Sequence, residues 1–313
     1  MSTAIALWLL AAGGVVGYGA WTAKAVAGGA SLWWYLVGAP LVYIGVFGAI
    51  TVGWFVLAWI FRAVRPPDRR IGLAASIRLF WDEMRAIRRS GPRMALYHWL
   101  MRDPATAPAP APVLLLHGVL CNAGAMYGLS RDLRARCIGP VYSISYGPPL
   151  ASIEGFADQV AAKIDAIIGA TGAPRVAIVG HSMGGLVARA YLRRYGAEKI
   201  ASVMTLGAPH HGSVHAWAFP GICLGQLRPG NAWLVELNRT EGLPLPIRFV
   251  SLWSWHDSMV APQTSSRLEG AENIELTGIG HNALLGDEQV FALVAAELTR
   301  RAAASKSAIC GLP

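Results

Sequence analysis

Residues 180–184 read Gly-His-Ser-Met-Gly, with the apolar run RVAIV (175–179) before them and LVARAYLRRY (186–195) after them. A serine held between glycines where a strand turns sharply into a helix has its hydroxyl lifted above the carboxyl ends of the strands, and the helix aims its first amides at the same space. Little side-chain bulk fits at Gly180 and Gly184 in such a turn. A serine hydroxyl is a weak nucleophile until a neighbouring base takes its proton, so chemistry at Ser182 requires a histidine and an orienting acid, in the chain order Ser, acid, His. Five histidines follow Ser182: His210, His211, His215, His256 and His281. Only His281 comes after the last apolar run, in the glycine-rich stretch NIELTGIGHNALL, where a loop can carry an imidazole back over the sheet. Asp257 is the only aspartate between Ser182 and His281, directly behind the run IRFVSLW (247–253). Glu236, Glu241, Glu269, Glu272 and Glu275 remain rivals on composition, in segments that do not leave the carboxyl end of a strand. An oxyanion formed by attack of Ser182 needs backbone donors. The amide of Met183 is one; Val119, after Gly118 in HGVLCNAG (117–124), is expected to supply the other.

The elements that must position these groups alternate. VLLLH (113–117), VYSIS (141–145), RVAIV, ASVMTL (201–206), IRFVSLW and NIELT (273–277) are short runs rich in β-branched residues, and helical patterns lie between them at 152–169, 184–195 and 287–303. Strands apolar on both faces, separated by helices, predict an α/β class with a mostly parallel sheet covered by helices. The Pro/Ala run PATAPAPAP (104–112) cannot be helical and marks the start of a domain at 113–313. An insertion at about 213–246 carries Trp217, Phe219, Ile222, Leu224 and Trp233, residues suited to an apolar cap or lid.

LLLHGV, VGHSMGGLVAR, LGAPHHGS, HDSMV and GIGHNALL, in this order, resemble bacterial lipases and esterases of the α/β-hydrolase superfamily, the triacylglycerol-lipase-like acylhydrolases. The likeness covers roughly residues 112–300. It implies an α/β-hydrolase fold, Ser182 as nucleophile, Asp257 as acid, His281 as base, and the Val119 and Met183 amides as oxyanion hole. Carboxylic ester hydrolysis is the activity implied, on lipid-like substrates; an acyltransferase or thioesterase with the same triad is an alternative, and so is a membrane scaffold with a vestigial hydrolase domain. No cofactor is implied. Some of these lipases hold a calcium with an aspartate two residues after the catalytic histidine, where this sequence has Ala283.

Residues 1–103 lie outside that resemblance. The 313-residue chain has a mean hydropathy of +0.41, and the apolar excess sits at the front: Ala4–Ala23 and Leu32–Phe61 carry no charge. Both runs are long enough to cross a bilayer, with spans expected at about 4–23 and 32–61 in an anchor ending at 62. Trp33, Trp34 and Tyr35 open the second run and Trp54, Trp59 and Phe61 close it, as aromatic rings settle at the two interfaces. Gly13 and Gly17 offer a close-packing face to a neighbouring helix. A signal peptide is the alternative for the first run, but no basic residue precedes Lys24. Residues 62–103 hold ten Arg against four acids, so +6 of the +9 net charge lies beside the apolar runs. That footprint points to anionic headgroups rather than nucleic acid, and it places the domain on the cytoplasmic face of a bacterial-type inner membrane. Ile77, Phe80, Trp81, Met84 and Ile87 recur at helical spacing among arginines, so residues 63–103 are expected to form an amphipathic helix on the membrane surface. The four scattered cysteines imply neither a disulfide framework nor a zinc site, and nothing in the sequence sets an oligomeric state.

Overall fold

The computed structural model describes residues 2–240, 245 and 247–310, with side chains as far as Arg300. Ten helices and six strands are present among the described residues. The strands are β1 (Val113–Leu116), β2 (Val141–Ser143), β3 (Val176–His181), β4 (Ile200–Leu206), β5 (Phe249–Ser254) and β6 (Glu272–Leu276). All six pair in parallel in the order β2-β1-β3-β4-β5-β6. The six runs singled out in the sequence are these strands, displaced by one or two residues at their ends. The helices are α1 (Thr3–Ala27), α2 (Leu32–Ile60), α3 (Leu73–Ala95), α4 (Tyr97–Leu100), α5 (Tyr127–Ala135), α6 (Ile153–Thr171), α7 (Met183–Tyr195), α8 (Ile222–Gln226), α9 (Ala232–Thr240) and α10 (Glu288–Cys310).

Alternation along β1 shows how the sheet is buried on both sides. Leu114 and Leu116 point into a core with Phe156, Val160 and Ile164 of α6 and Leu186 and Val187 of α7. Val113 and Leu115 point to the other face, onto Leu129 and Leu133 of α5 and Val290 and Val294 of α10. The chain leaves β1 for β2 on one side and returns to β3 on the other. The order therefore reverses around β1, and the crevice beyond the carboxyl ends of β1 and β3 is where an open α/β sheet places a ligand.

Helices α1 and α2 are joined by residues 28–31, and Tyr18 Oη donates to Tyr35 O at 2.7 Å across the turn. Only 6% and 11% of their most apolar windows are buried, so neither is the core helix of a globular unit. A Cβ built at Gly13 or Gly17 meets nothing within 4 Å, so among the described residues no helix of this chain packs there. Close contact lies instead at the turn, through Tyr35 against Tyr18 and Trp21.

Helix α3 is amphipathic as the arginine spacing predicts, but one face lies on the α5/α10 side of the sheet domain. Leu79, Glu83 and Met84 are buried, while Ile77 and Trp81 stay about half exposed. Its last turn abuts the segment after β1, where Asn122 Nδ2 donates to Met94 O at 2.8 Å and a Cβ at Gly124 would stand 2.2 Å from Arg93 O. Ala86, Met94, Tyr97, Leu100 and Met101 extend the α5/α10 core. The Pro/Ala run beyond them forms no regular element.

Candidate active site

β3 ends at His181 and α7 begins at Met183, which leaves Ser182 alone to make the turn. Its backbone is at φ 56°, ψ −127°, a conformation that L residues hold only when the surroundings over-determine it. The surroundings here are backbone. A Cβ at Gly180 would stand 2.7 Å from the Gly184 carbonyl carbon, and one at Gly184 would stand 2.6 Å from Leu116 O and 2.8 Å from His117 O. Both glycines are thus required for α7 to start directly against the ends of β3 and β1. Ser182 N–H donates to Leu206 O at 2.9 Å, which ties the turn to β4.

Asp257 and His281 leave the carboxyl ends of the parallel neighbours β5 and β6. Asp257 follows β5, and its Oδ1 accepts from the amides of Met259 (2.8 Å) and Val260 (2.7 Å), so the loop holds the carboxylate fixed. Its Oδ2 lies 2.8 Å from His281 Nδ1. Both side chains are buried. Burial alone would push the His281 imidazole down, but the charge and hydrogen bond of Asp257, with a smaller contribution from Glu83, leave it above its ordinary value. Gly207, at φ 57°, passes so near that a Cβ there would be 3.0 Å from Asp257 Oδ2 and 3.3 Å from His281 Nδ1. The His281 ring lies 4.7 Å from that of His181, the residue before Ser182.

The two amides expected to face an oxyanion flank the same space. Met183 is the first residue of α7, so its N–H has no intrahelical acceptor. Val119 donates to no backbone oxygen among the described residues. The 118–121 turn closes through Cys121 N–H to Gly118 O, with Leu120 held at φ 55°. A Cβ at Gly118 would be 3.0 Å from Ser182 Cβ, which puts this turn directly against the serine.

The other titratable groups are held inert. Burial pushes His117 down to about 4 and His256 down to about 4, and burial with the neighbouring His281 pushes His181 down to about 3. His210 is also buried and well below its ordinary value, bonded to Thr205 Oγ1 and beside Arg189. Burial pushes the Cys121 thiol up to about 12, so no thiolate competes with the serine. Cys121, Cys137 and Cys223 are free; the Cys310 side chain lies outside the described residues. Glu236 pairs with Arg239, Glu272 with Arg248, and Glu275 accepts from Trp255 Nε1. None of these three meets a histidine; Glu241 lies outside the described residues.

Residues 111–247 match the model of the α/β hydrolase fold family. The mature lipase BlEst2 of Bacillus licheniformis superposes with a TM-score of 0.55 at 19% identity, covering 63% of this chain and 96% of that one. Aspergillus fumigatus lipase B gives 0.54 at 19% identity, covering 61% and 52%. The domain has the α/β-hydrolase fold. Two curated proteins, each described as a triacylglycerol lipase, from Pseudarthrobacter phenanthrenivorans and Burkholderia plantarii, are 33% identical to this chain over 120 residues. The match takes in 34% of this chain and 35% and 31% of theirs, about a third of each relative's length.

The insertion in this α/β-hydrolase fold forms a 3-10 turn (Val214–Trp217), α8 and α9. Leu120, Leu150, Trp217, Phe219 and Ile222 expose large apolar side chains. Helix α2 reaches this rim: Trp54 O meets His215 Nε2 at 3.2 Å, and the Trp54 ring lies 5.9 Å from Phe219. One participant is absent from the sequence expectations. Glu83 of α3 is fully buried and touches the loops of both Asp257 and His281. Its signal was available, since it stands four residues from both Leu79 and Ile87, on the inward stripe of an amphipathic helix.

Proposed function

We propose that the chain is a membrane-anchored serine hydrolase that cleaves carboxylic esters through an acyl-enzyme. The observation that carries this reading is the strained Ser182 turn beside a buried His281–Asp257 pair at 2.8 Å. Ser182 Oγ attacks the acyl carbonyl while His281 Nε2 takes its proton, and the negative oxygen is held by the Val119 and Met183 amides. The imidazolium gives that proton to the departing alkoxide as the ester C–O bond breaks. Water then attacks the acyl-enzyme with His281 again as base, the acid is released, and Ser182 regains its proton. Asp257 holds the imidazole in the tautomer with Nδ1–H and stabilises its charged form. In detergent, the full chain is expected to react with a fluorophosphonate probe and the Ser182→Ala variant is not; equal labelling of the two would remove Ser182 from its role.

The rim of exposed apolar residues and the relatives described as triacylglycerol lipases support a lipid-like substrate, read out by rates across an ester chain-length series. The length and apolar composition of the hairpin support anchoring. Thr3, Ala4 and Trp8 of α1 and Thr51, Trp54 and Ala58 of α2 are engaged with the rest of the protein or buried. The two helices run 25 and 29 residues, about 38 and 44 Å against the roughly 30 Å of a hydrocarbon core, and α3 touches α2 as far along as Tyr43 through Arg88. The basic residues after Phe61 support a cytoplasmic position for the catalytic domain. A reporter fused after Pro313 is expected to signal from the cytoplasm; signal from the opposite face would overturn the orientation.

A further inference from the structure

We propose that Glu83 is a positioning residue for the catalytic base: its carboxylate fixes the loops that carry His281 and Asp257, which makes a helix of the anchor-side segment part of the active site. The inference rests on the Ser182–His281–Asp257 reading above. A buried carboxylate costs several kcal/mol unless other groups replace its water, and no cation pairs with Glu83 among the described residues. Neutral donors surround it instead. Oε1 accepts from Ser258 Oγ at 2.6 Å, Asn282 N–H at 3.0 Å and Asn282 Nδ2 at 2.9 Å, and Oε2 accepts from Ala283 N–H at 2.9 Å. Ser258 is the residue after Asp257; Asn282 and Ala283 are the two after His281. On the other side of His281, a Cβ at Gly280 would stand 2.4 Å from Glu83 Oε2, so the loop wraps the carboxylate closely.

The consequence is geometric and electrostatic together. Gly278 N–H to His256 Nδ1 at 3.1 Å and Asn282 Nδ2 to Met259 Sδ at 3.5 Å also cross between the loops after β5 and β6; Glu83 adds one carboxylate that bonds directly to the residues next to both Asp257 and His281. Without the carboxylate, four donors lose this acceptor, two of them buried and two half-buried, and both loops are less constrained where the Nδ1–Oδ2 bond orients the base. His281 is faced by Asp257 from the β5 loop, by His181 from the end of β3, by Glu83 from α3 and, farther off, by His215 from the cap. The Glu83 charge favours imidazolium, the form His281 takes when it accepts the serine proton.

The test uses the full chain in detergent micelles with a soluble short-chain p-nitrophenyl ester. Glu83→Gln keeps the side-chain shape, removes the charge and turns an NH2 group toward one set of donors. It is expected to lower kcat about tenfold to a hundredfold, the range for groups that orient a catalytic imidazole, with KM within about twofold. The acid limb of the kcat/KM profile should also move to lower pH, because the base is easier to deprotonate once a negative charge has gone. Asp82→Asn, which removes the adjacent exposed carboxylate paired with Arg85, leaves both quantities unchanged. Wild-type kcat in Glu83→Gln, or a loss of kcat with the acid limb unmoved, would overturn the proposal. Should Glu83→Gln not fold, Ser258→Ala carries the test, since it retains the carboxylate and three donors. About threefold to tenfold loss of kcat at constant KM is expected there, and wild-type kcat would sink the proposal. Fluorophosphonate labelling separates the two readings: labelling that depends on Ser182 and proceeds at the wild-type rate in Glu83→Gln leaves the triad standing and the Glu83 proposal wrong.

Discussion

Asp257 and Glu83 are both buried carboxylates within reach of the same imidazole, and the contrast between them separates what the sequence displays from what it hides. Asp257 was legible because it is the only aspartate between Ser182 and His281 and follows an apolar run. Glu83 comes from about two hundred residues before His281, and nothing in chain order brings a helix of the basic segment to that loop. Asp257→Asn is expected to reduce kcat about a thousandfold to ten-thousandfold while the melting temperature changes little, because the amide holds the wrong imidazole tautomer; a pH–rate profile and a melt on one preparation check both halves. The wild-type profile carries a signed expectation as well. His281 must be neutral to act as base, and its pKa is raised above the ordinary value of 6.5. Activity should therefore fall on acidification with a midpoint above 6.5, and a midpoint below it would mean that burial outweighs the carboxylates.

Among the elements, the six strands and the elbow were readable because burial on both faces and the Gly-x-Ser-x-Gly turn leave local marks. Helix α5 was not. Its nine residues carry four charged or strongly polar side chains, Ser130, Arg131, Asp132 and Arg134, and only Leu129 and Leu133 face the core at a spacing of four. The paired glycines Gly13 and Gly17 failed for the opposite reason: spacing shows which face is smooth but not whether anything lies against it. Glycines of the elbow and of α6 offer a direct comparison. Gly184→Ala must push a methyl group into the Leu116 and His117 carbonyls; it is expected to cost about 2–4 kcal/mol and to remove fluorophosphonate labelling. Gly169→Ala, on the exposed side of α6 with nothing within 4 Å, should stabilise by about 0.5–1 kcal/mol through helix propensity. Thermal melts of the two variants, which differ from wild type by the same methyl group, would show whether the elbow is as tightly over-determined as its backbone contacts imply.

At the scale of the molecule, the change of composition at the Pro/Ala run suggests that the hydrolase begins at 113, yet packing continues across it. Leu79, Met84 and Met101 are buried, Met94 O receives the Asn122 side chain, and Glu83 closes the catalytic loops. A stretch of prolines and alanines marks where the chain cannot form an element; it does not mark where contacts stop. Removing residues 1–103 would re-expose the partners of those side chains. At about 1.5–3 kcal/mol for each fully buried apolar side chain, the loss approaches the 5–15 kcal/mol that separates a folded domain of ordinary stability from its unfolded chain. A chain beginning at Ile71, just ahead of α3, keeps that interface and gives up the hairpin. Both truncations can be prepared in the same detergent and compared by melting and by fluorophosphonate labelling. The chain from Ile71 is expected to melt cooperatively and to label at Ser182, while residues 104–313 are expected to melt at least about 10 °C lower or not cooperatively at all, with labelling weak or lost. Equal melting and equal labelling of the two would mean that α3 only leans on the α/β domain, and that the loops after β5 and β6 hold their shape without it.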